Sequence, residues 1–144
     1  MNELDSVGLL IKKIHDATGA IANTELKELN LTISQSQVLY FLHQVKGQSV
    51  SVREIEKEFC IKHTTALGIV NRLQRKGFIQ SHGSPSDKRV RIIEITREGE
   101  TIHQAISQKF SAMETVSLQG IAQNELKSLK KMLATIHSNL ERLR

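Results

Sequence analysis

Apolar positions in the first fifth of the chain recur every three or four residues. Val7, Leu10, Ile11, Ile14, Ala17, Ile21, Leu26 and Leu29 predict a long helix from about residue 4 to about 29. In NLTISQSQVLYFLHQVKG, Thr32 or Ser34 can cap a second helix. Val38, Leu39 and Leu42 form its buried stripe, and Gly47 follows its end. Ser51 and Glu54 have capping-box spacing, so a third helix starts there and places Ile55 and Phe59 one turn apart on its apolar face. After a short turn at Cys60–Ile61, Ala66, Val70 and Leu73 predict a fourth helix over about 62–76, with Gly77 at its end.

Beyond Gly77 the period changes. FIQSH and RVRIIEIT are β-prone runs separated by GSPSDK, whose Gly, Pro, Ser and Asp build turns, so a two-stranded hairpin is expected. Pro85, the only proline, belongs at the turn because it cannot donate to a strand ladder. Helical spacing then returns in Ile102, Ile106, Phe110 and Met113. It resumes in Leu126, Leu129, Leu133, Ile136, Leu140 and Leu143, with Gly120 as a break and Asn124 as a start signal. The fold class is therefore mainly α with a small β-hairpin wing: a winged helix-turn-helix over about 32–96, flanked by helical regions at about 1–30 and 97–144. The terminal helices carry more apolar surface than the winged core can cover. Their stripes are expected to bury against a second copy, making a homodimer.

Composition narrows the function. At 144 residues the chain is one domain, with no apolar run near the roughly 18 residues a membrane span needs. A single cysteine excludes an internal disulfide, and with the acidic start MNELD it leads to a cytoplasmic assignment. The net charge is +5, but its location matters more: residues 62–97 hold eight Lys and Arg against Asp87 and Glu94. A regional positive field on a small protein points to a polyanion. Aromatic residues make up only 3% of the chain, which leaves no stacking platform for single-stranded RNA.

The candidate DNA-binding residues cluster accordingly. With Ala66, Val70 and Leu73 turned inward, Thr64, Thr65, Gly68, Asn71, Arg72 and Arg75 face outward or flank the stripe. Hydroxyl and amide groups suit base edges in a major groove, whereas Lys62, His63 and backbone amides at a helix start suit phosphate. A cap at Thr64 is the structural alternative. Ser34 and Gln35, at the start of the second helix, complete this face. On the hairpin, Asp87 can fix the turn or pair with an arginine, and Lys88, Arg89 and Arg91 are expected to project toward a minor groove.

LTISQSQVL, VNRLQRKGFI, SPSDKR and EITREG together resemble the MarR family of bacterial transcriptional regulators, over essentially the whole chain. The most specific part is Asp87-Lys88-Arg89 between RKGFI and ITREG. The resemblance implies a homodimer on pseudo-palindromic double-stranded DNA, generally a repressor, with a small-molecule effector as a further partner. It implies that helix 62–76 enters the major groove, that Arg89 contacts the minor groove or backbone, and that Asp87 holds the wing arginine. Leu67-Gly68 stands where many members have Thr-Arg, and Ser81 where many have Arg, which shifts readout toward Thr64, Thr65 and Asn71. The alternative function is a winged-helix module that binds protein and uses its wing only as a surface.

Little else carries chemistry. Cys60, between Phe59 and Ile61, is expected to pack in the core rather than sense oxidants, and Tyr40 to be a partly buried packing residue. The six histidines show no metal-ligand spacing, no catalytic constellation or phosphate-cradling glycine motif can be assigned, and neither cofactor, metal nor enzymatic activity is expected.

Overall fold

A computed structural model describes residues 6–144. The order is α1 (Val7–Glu28), α2 (Ile33–Gln44), β1 (Val50–Ser51), α3 (Val52–Phe59), α4 (His63–Arg75), β2 (Ile79–Gly83), β3 (Arg91–Ile95), α5 (Arg97–Ser117) and α6 (Gln123–Glu141). The chain forms two compact units, one running to Phe110 and the other from Ser111 to Arg144. The predicted first two residues of the long helix lie outside the described residues. Its observed start follows Ser6, whose hydroxyl accepts from the Leu9 amide at 3.0 Å.

Local signals set most boundaries. Thr32, not Ser34, caps α2 in a full capping box with Gln35, and Ser51 with Glu54 does the same for α3. Gly47, Gly77 and Gly120 all take positive φ where helices end, which side chains resist and glycine does not. Neither predicted polar cap at the remaining starts is used. Thr64 is the second residue of α4, which follows Lys62 without a side-chain cap, and Asn124 lies inside α6, which follows Ala122.

The core of the first unit gathers Leu26 of α1, Val38, Leu39 and Leu42 of α2, Ile55 of α3, four residues of α4 and Ile106 of α5 around the sheet. The sheet has three antiparallel strands in the order β1-β3-β2. The hairpin is as predicted, with Ile79 opposite Ile95 and Gly83 opposite Arg91. Its third strand was not legible: β1 is two residues long, pairs Val50 with Ile93 and Ser51 with Ile92, and runs directly into the cap of α3. The pairing therefore brings the start of α3 to the wing.

Two further contacts fix the long helices of this unit. Lys109 of α5 donates to Glu25 of α1 at 2.8 Å and to Glu28 at 3.3 Å. His43 of α2 meets Glu100 of α5 at 2.6 Å, and its ring lies 4.4 Å from that of the buried His103. Burial pushes the Glu100 carboxyl up, but the hydrogen bond and charge of His43, with the charge of Lys46, outweigh it and leave it below the ordinary value. Burial, then the His43 charge, holds His103 below the ordinary imidazole value.

Two packing expectations are corrected. Tyr40 is 53% exposed; its ring rests 5.9 Å from that of His103, and its hydroxyl accepts from Gln44 at 2.6 Å. Cys60 is exposed because it adopts a left-handed conformation, φ 51°, as it ends α3, which turns its side chain away from the apolar stripe. The predicted stripe of α5 packs on the core through Ile102, Ile106 and Phe110, but those of α1 and α6 stay largely uncovered. On α1, Val7, Leu10, Ile14 and Ile21 are exposed, and α6 has no buried residue at all.

Gly99, in the first turn of α5, is required for packing rather than for conformational freedom. A Cβ there would lie 2.0 Å from the carbonyl oxygen of Phe78 and 2.7 Å from the Ile95 side chain. A backbone oxygen cannot swing aside, so Gly99→Ala is expected to cost about 3 kcal/mol, read as a lowered urea midpoint at unchanged m-value.

Candidate nucleic-acid interface

α4 is held by one face and free on the other. Ala66, Val70 and Leu73 are fully buried, with Ile69 beside them, as the spacing predicted. That leaves Thr64, Thr65, Asn71, Arg72 and Arg75 exposed and Gly68 half-buried. Because Lys62 supplies no side-chain cap, the first amides of α4 remain available to an acceptor from outside. His63, its first residue, is tied back to α3 through Glu56 at 3.0 Å.

An open groove of about 490 Å³ runs between the starts of α2 and α4, lined by Ser34, Thr64, Thr65, Gly68 and Arg72 among others. The structure thus brings Ser34, still exposed, to the same surface as the α4 residues. Gln35 is corrected. It is 4% exposed, its side chain completes the cap on the Thr32 amide, and it accepts from Lys76 at 3.0 Å. Its Oε1 is engaged by both donors. Lys76 also donates to the carbonyl of Asn30, and burial, then the Arg72 charge, lowers its pKa.

The wing divides its cations. Arg89 is 91% exposed at its side chain, and Asp87 takes its backbone amide at 3.0 Å and its Nε at 3.2 Å, so one carboxylate both closes the turn and holds the guanidinium outward. Ser84 adds a hydroxyl to the Ser86 amide next to Pro85. Lys88 is exposed. Arg91 departs from expectation: it folds back along the sheet instead of projecting. Its Nε donates to Ser81 at 2.9 Å, Nη1 to Asn71 at 3.1 Å and Nη2 to Gln74. It is a bridge between wing and α4.

Lys62, Arg72, Arg75 and Lys88 enter no ion pair among the described residues, so their charge faces solvent. A second groove, also about 490 Å³, adds Arg53 beside His63, Arg89 and Arg91. Arg53 was not found from the sequence, because an arginine in the first turn of a helix reads as a solvated charge. Only the β1–β3 pairing brings it to the wing. No three His, Cys, Asp or Glu side chains converge on a metal-sized site among the described residues, and no described helix is long and apolar enough to cross a membrane.

A sequence profile of the MarR family matches residues 29–90, the span from the end of α1 to the wing. The crystal structure of MarR superposes with a TM-score of 0.81 at 26% identity, covering 100% of this chain and 97% of that one. Over residues 29–90 the chain carries the MarR-family sequence pattern, on the MarR fold. Over 143 residues it is 24% identical to YybA, an HTH-type transcriptional regulator of Bacillus subtilis, covering 99% of this chain and 91% of that protein. It is 29% identical over 118 residues to IacR, an HTH-type transcriptional repressor of Pseudomonas putida, covering 82% of this chain and 70% of that one. The S. aureus MepR–DNA complex shares the fold, with a TM-score of 0.78 at 21% identity over 94% of this chain and 98% of that one. Both of these relatives, YybA and IacR, are transcriptional regulators.

The wing turn carries a pH dependence whose sign follows from Asp87. The side chain of Arg89, then its backbone amide, holds the carboxyl below its ordinary value. A depressed pKa means the interaction is complete above the ordinary carboxylate value and is lost as pH falls through the lowered one. Amide exchange across residues 84–90 is therefore expected to be flat in intrinsic protection at neutral pH and to lose protection only in acid. In Asp87→Asn that protection is expected to be already low at neutral pH.

Proposed function

We propose that this protein is a dimeric, sequence-specific binder of double-stranded DNA that acts as a repressor and is released by an effector. One observation carries the reading. Ser34 of α2 lines one groove with Thr64 and Thr65 at the uncapped start of α4, and the outward Arg89 of the wing lines another with His63 of that same start, with four further Lys and Arg unpaired among the described residues. Thr64, Thr65 and Asn71 then read base edges in a major groove, Lys62, Arg72 and Arg75 neutralise phosphate, and Arg89 enters the adjacent minor groove. MepR has been captured with DNA, and IacR is a repressor, which supports both parts of the reading by analogy.

The dimer is supported by the uncovered faces. A monomer with this many exposed aliphatic side chains along α1, and an α6 with no fully buried residue, leaves apolar area in water that a second copy would remove. Two-fold pairing also matches the reading geometry, since paired helix-turn-helix units read half-sites about 34–36 Å apart. An effector acts by binding one spacing of the two winged units better than the other; equal binding would shift nothing.

Fluorescence anisotropy on duplex DNA across a salt series tests the core of this. Log affinity is expected to fall linearly with log salt at about −0.9 per phosphate contacted, and Arg89→Ala to weaken binding on all sequences with a shallower slope. Absence of salt-dependent duplex binding would return the wing to a protein-binding role. Sedimentation of the free chain is expected to give twice the mass of one protomer.

A further inference from the structure

We propose that Arg91 is a positioning residue that sets which base Asn71 reads. The proposal rests on α4 being the major-groove helix. A guanidinium has five N–H donors and no acceptor, so any amide placed against it must turn its oxygen toward it. Arg91 meets two amides on α4. Asn71 Oδ1 takes Nη1 at 3.1 Å, and Gln74 Oε1 takes Nη2. The Ser81 oxygen takes Nε at 2.9 Å while its proton goes to Gln74 Oε1 at 2.9 Å. Every polarity in this cluster is thereby fixed by a single cation, which is held in place from both the strand and the helix.

The consequence falls on Asn71, which is exposed on the side of α4 opposite its buried stripe. Its oxygen is spent inward, and the amino group is the end left to a ligand. An asparagine with both ends free reads adenine, donating to N7 and accepting from the N6 amino group. Here the second lone pair of Oδ1 lies beside a guanidinium, whose charge disfavours the approach of another donor such as adenine N6. Guanine offers N7 and O6, two adjacent acceptors with no donor between them. Asn71 therefore selects guanine over adenine at its position, and Arg91 enforces this without itself touching DNA.

Selection of binding sites from a randomised duplex pool tests this with the full chain. Asn71→Ala is expected to erase the preference at one position of each half-site, and that position is expected to be guanine in the wild type. Arg91→Met frees the Asn71 oxygen and is expected to shift that position toward adenine by about tenfold, the scale of a single bidentate contact. The salt slope is expected to stay unchanged, because the lost charge was not spent on phosphate. Arg91→Lys, which keeps the cation, is expected to move the preference back toward guanine. Asn71→Asp changes an exposed residue, keeps a partner for Arg91 and lacks a donor; it is expected to disfavour guanine even where Arg91→Met fails to fold. Adenine at that position in the wild type, an unchanged preference in folded Arg91→Met, or retained guanine in Asn71→Asp would each overturn the proposal. A shallower salt slope in Arg91→Met without a change of base would make Arg91 an ordinary phosphate contact. A wild type that binds no duplex at any salt would remove the major-groove reading itself, and this inference with it. Selection of sites with no effect of these substitutions removes only the role of Arg91.

Discussion

The inward stripe of α4 is the constraint on which the surface depends. Ala66, Val70 and Leu73 are wholly buried among residues of the other core elements, and their spacing fixes the rotation of the helix about its axis. Thr64, Thr65 and Asn71 face outward only because these three face inward. A side chain can discriminate a base edge only if it is already aimed, since ordering it on binding would subtract from the contact it makes. The small Ala66 lets α4 approach its neighbours closely, and the sheet, tied on by Ile79 and Ile93, carries the wing from the same core.

The element order and most of the core were legible because they rest on local rules. Two capping boxes, three positive-φ glycines and a period switch at Gly77 are readable from a few neighbouring residues. What stayed hidden depends on contacts between distant residues. β1 has only two residues and no pattern of its own, so its pairing with β3, and with it the placing of Arg53, had no local signal. Cys60 was assigned to the core from its apolar neighbours, but a left-handed backbone reverses where a side chain points.

The candidate site shows the same division. The outward residues of α4 followed from subtracting the buried stripe, and the Asp87–Arg89 pair from a separation of two residues. Gln35 and Arg91 did not follow, since each is withdrawn from the surface by partners far along the chain: Lys76, 41 residues from Gln35, and Asn71, 20 residues from Arg91. Charge composition counts cations but cannot separate those that face solvent from those that bind the protein to itself. Ser81, where many family members have arginine, belongs here too: as a small hydroxyl residue it leaves room for Arg91 to lie along the sheet and reach α4.

The ammonium of Lys76 joins three backbone segments, since it lies on the Asn30 carbonyl after α1 and on the Gln35 side chain at the start of α2, while belonging to the end of α4. Mechanically this is a hinge pin at the far end of a lever. The 13 residues of α4 make an arm of about 20 Å. With the pin intact, a rotation of about 10° leaves Lys76 in place and carries the Thr64–Thr65 end about 3 Å, close to the roughly 3.4 Å between successive bases on one strand. The same tilt would carry the buried Ala66, about 15 Å along the helix, by roughly 2.6 Å, so the packed stripe is what holds the reading end in register.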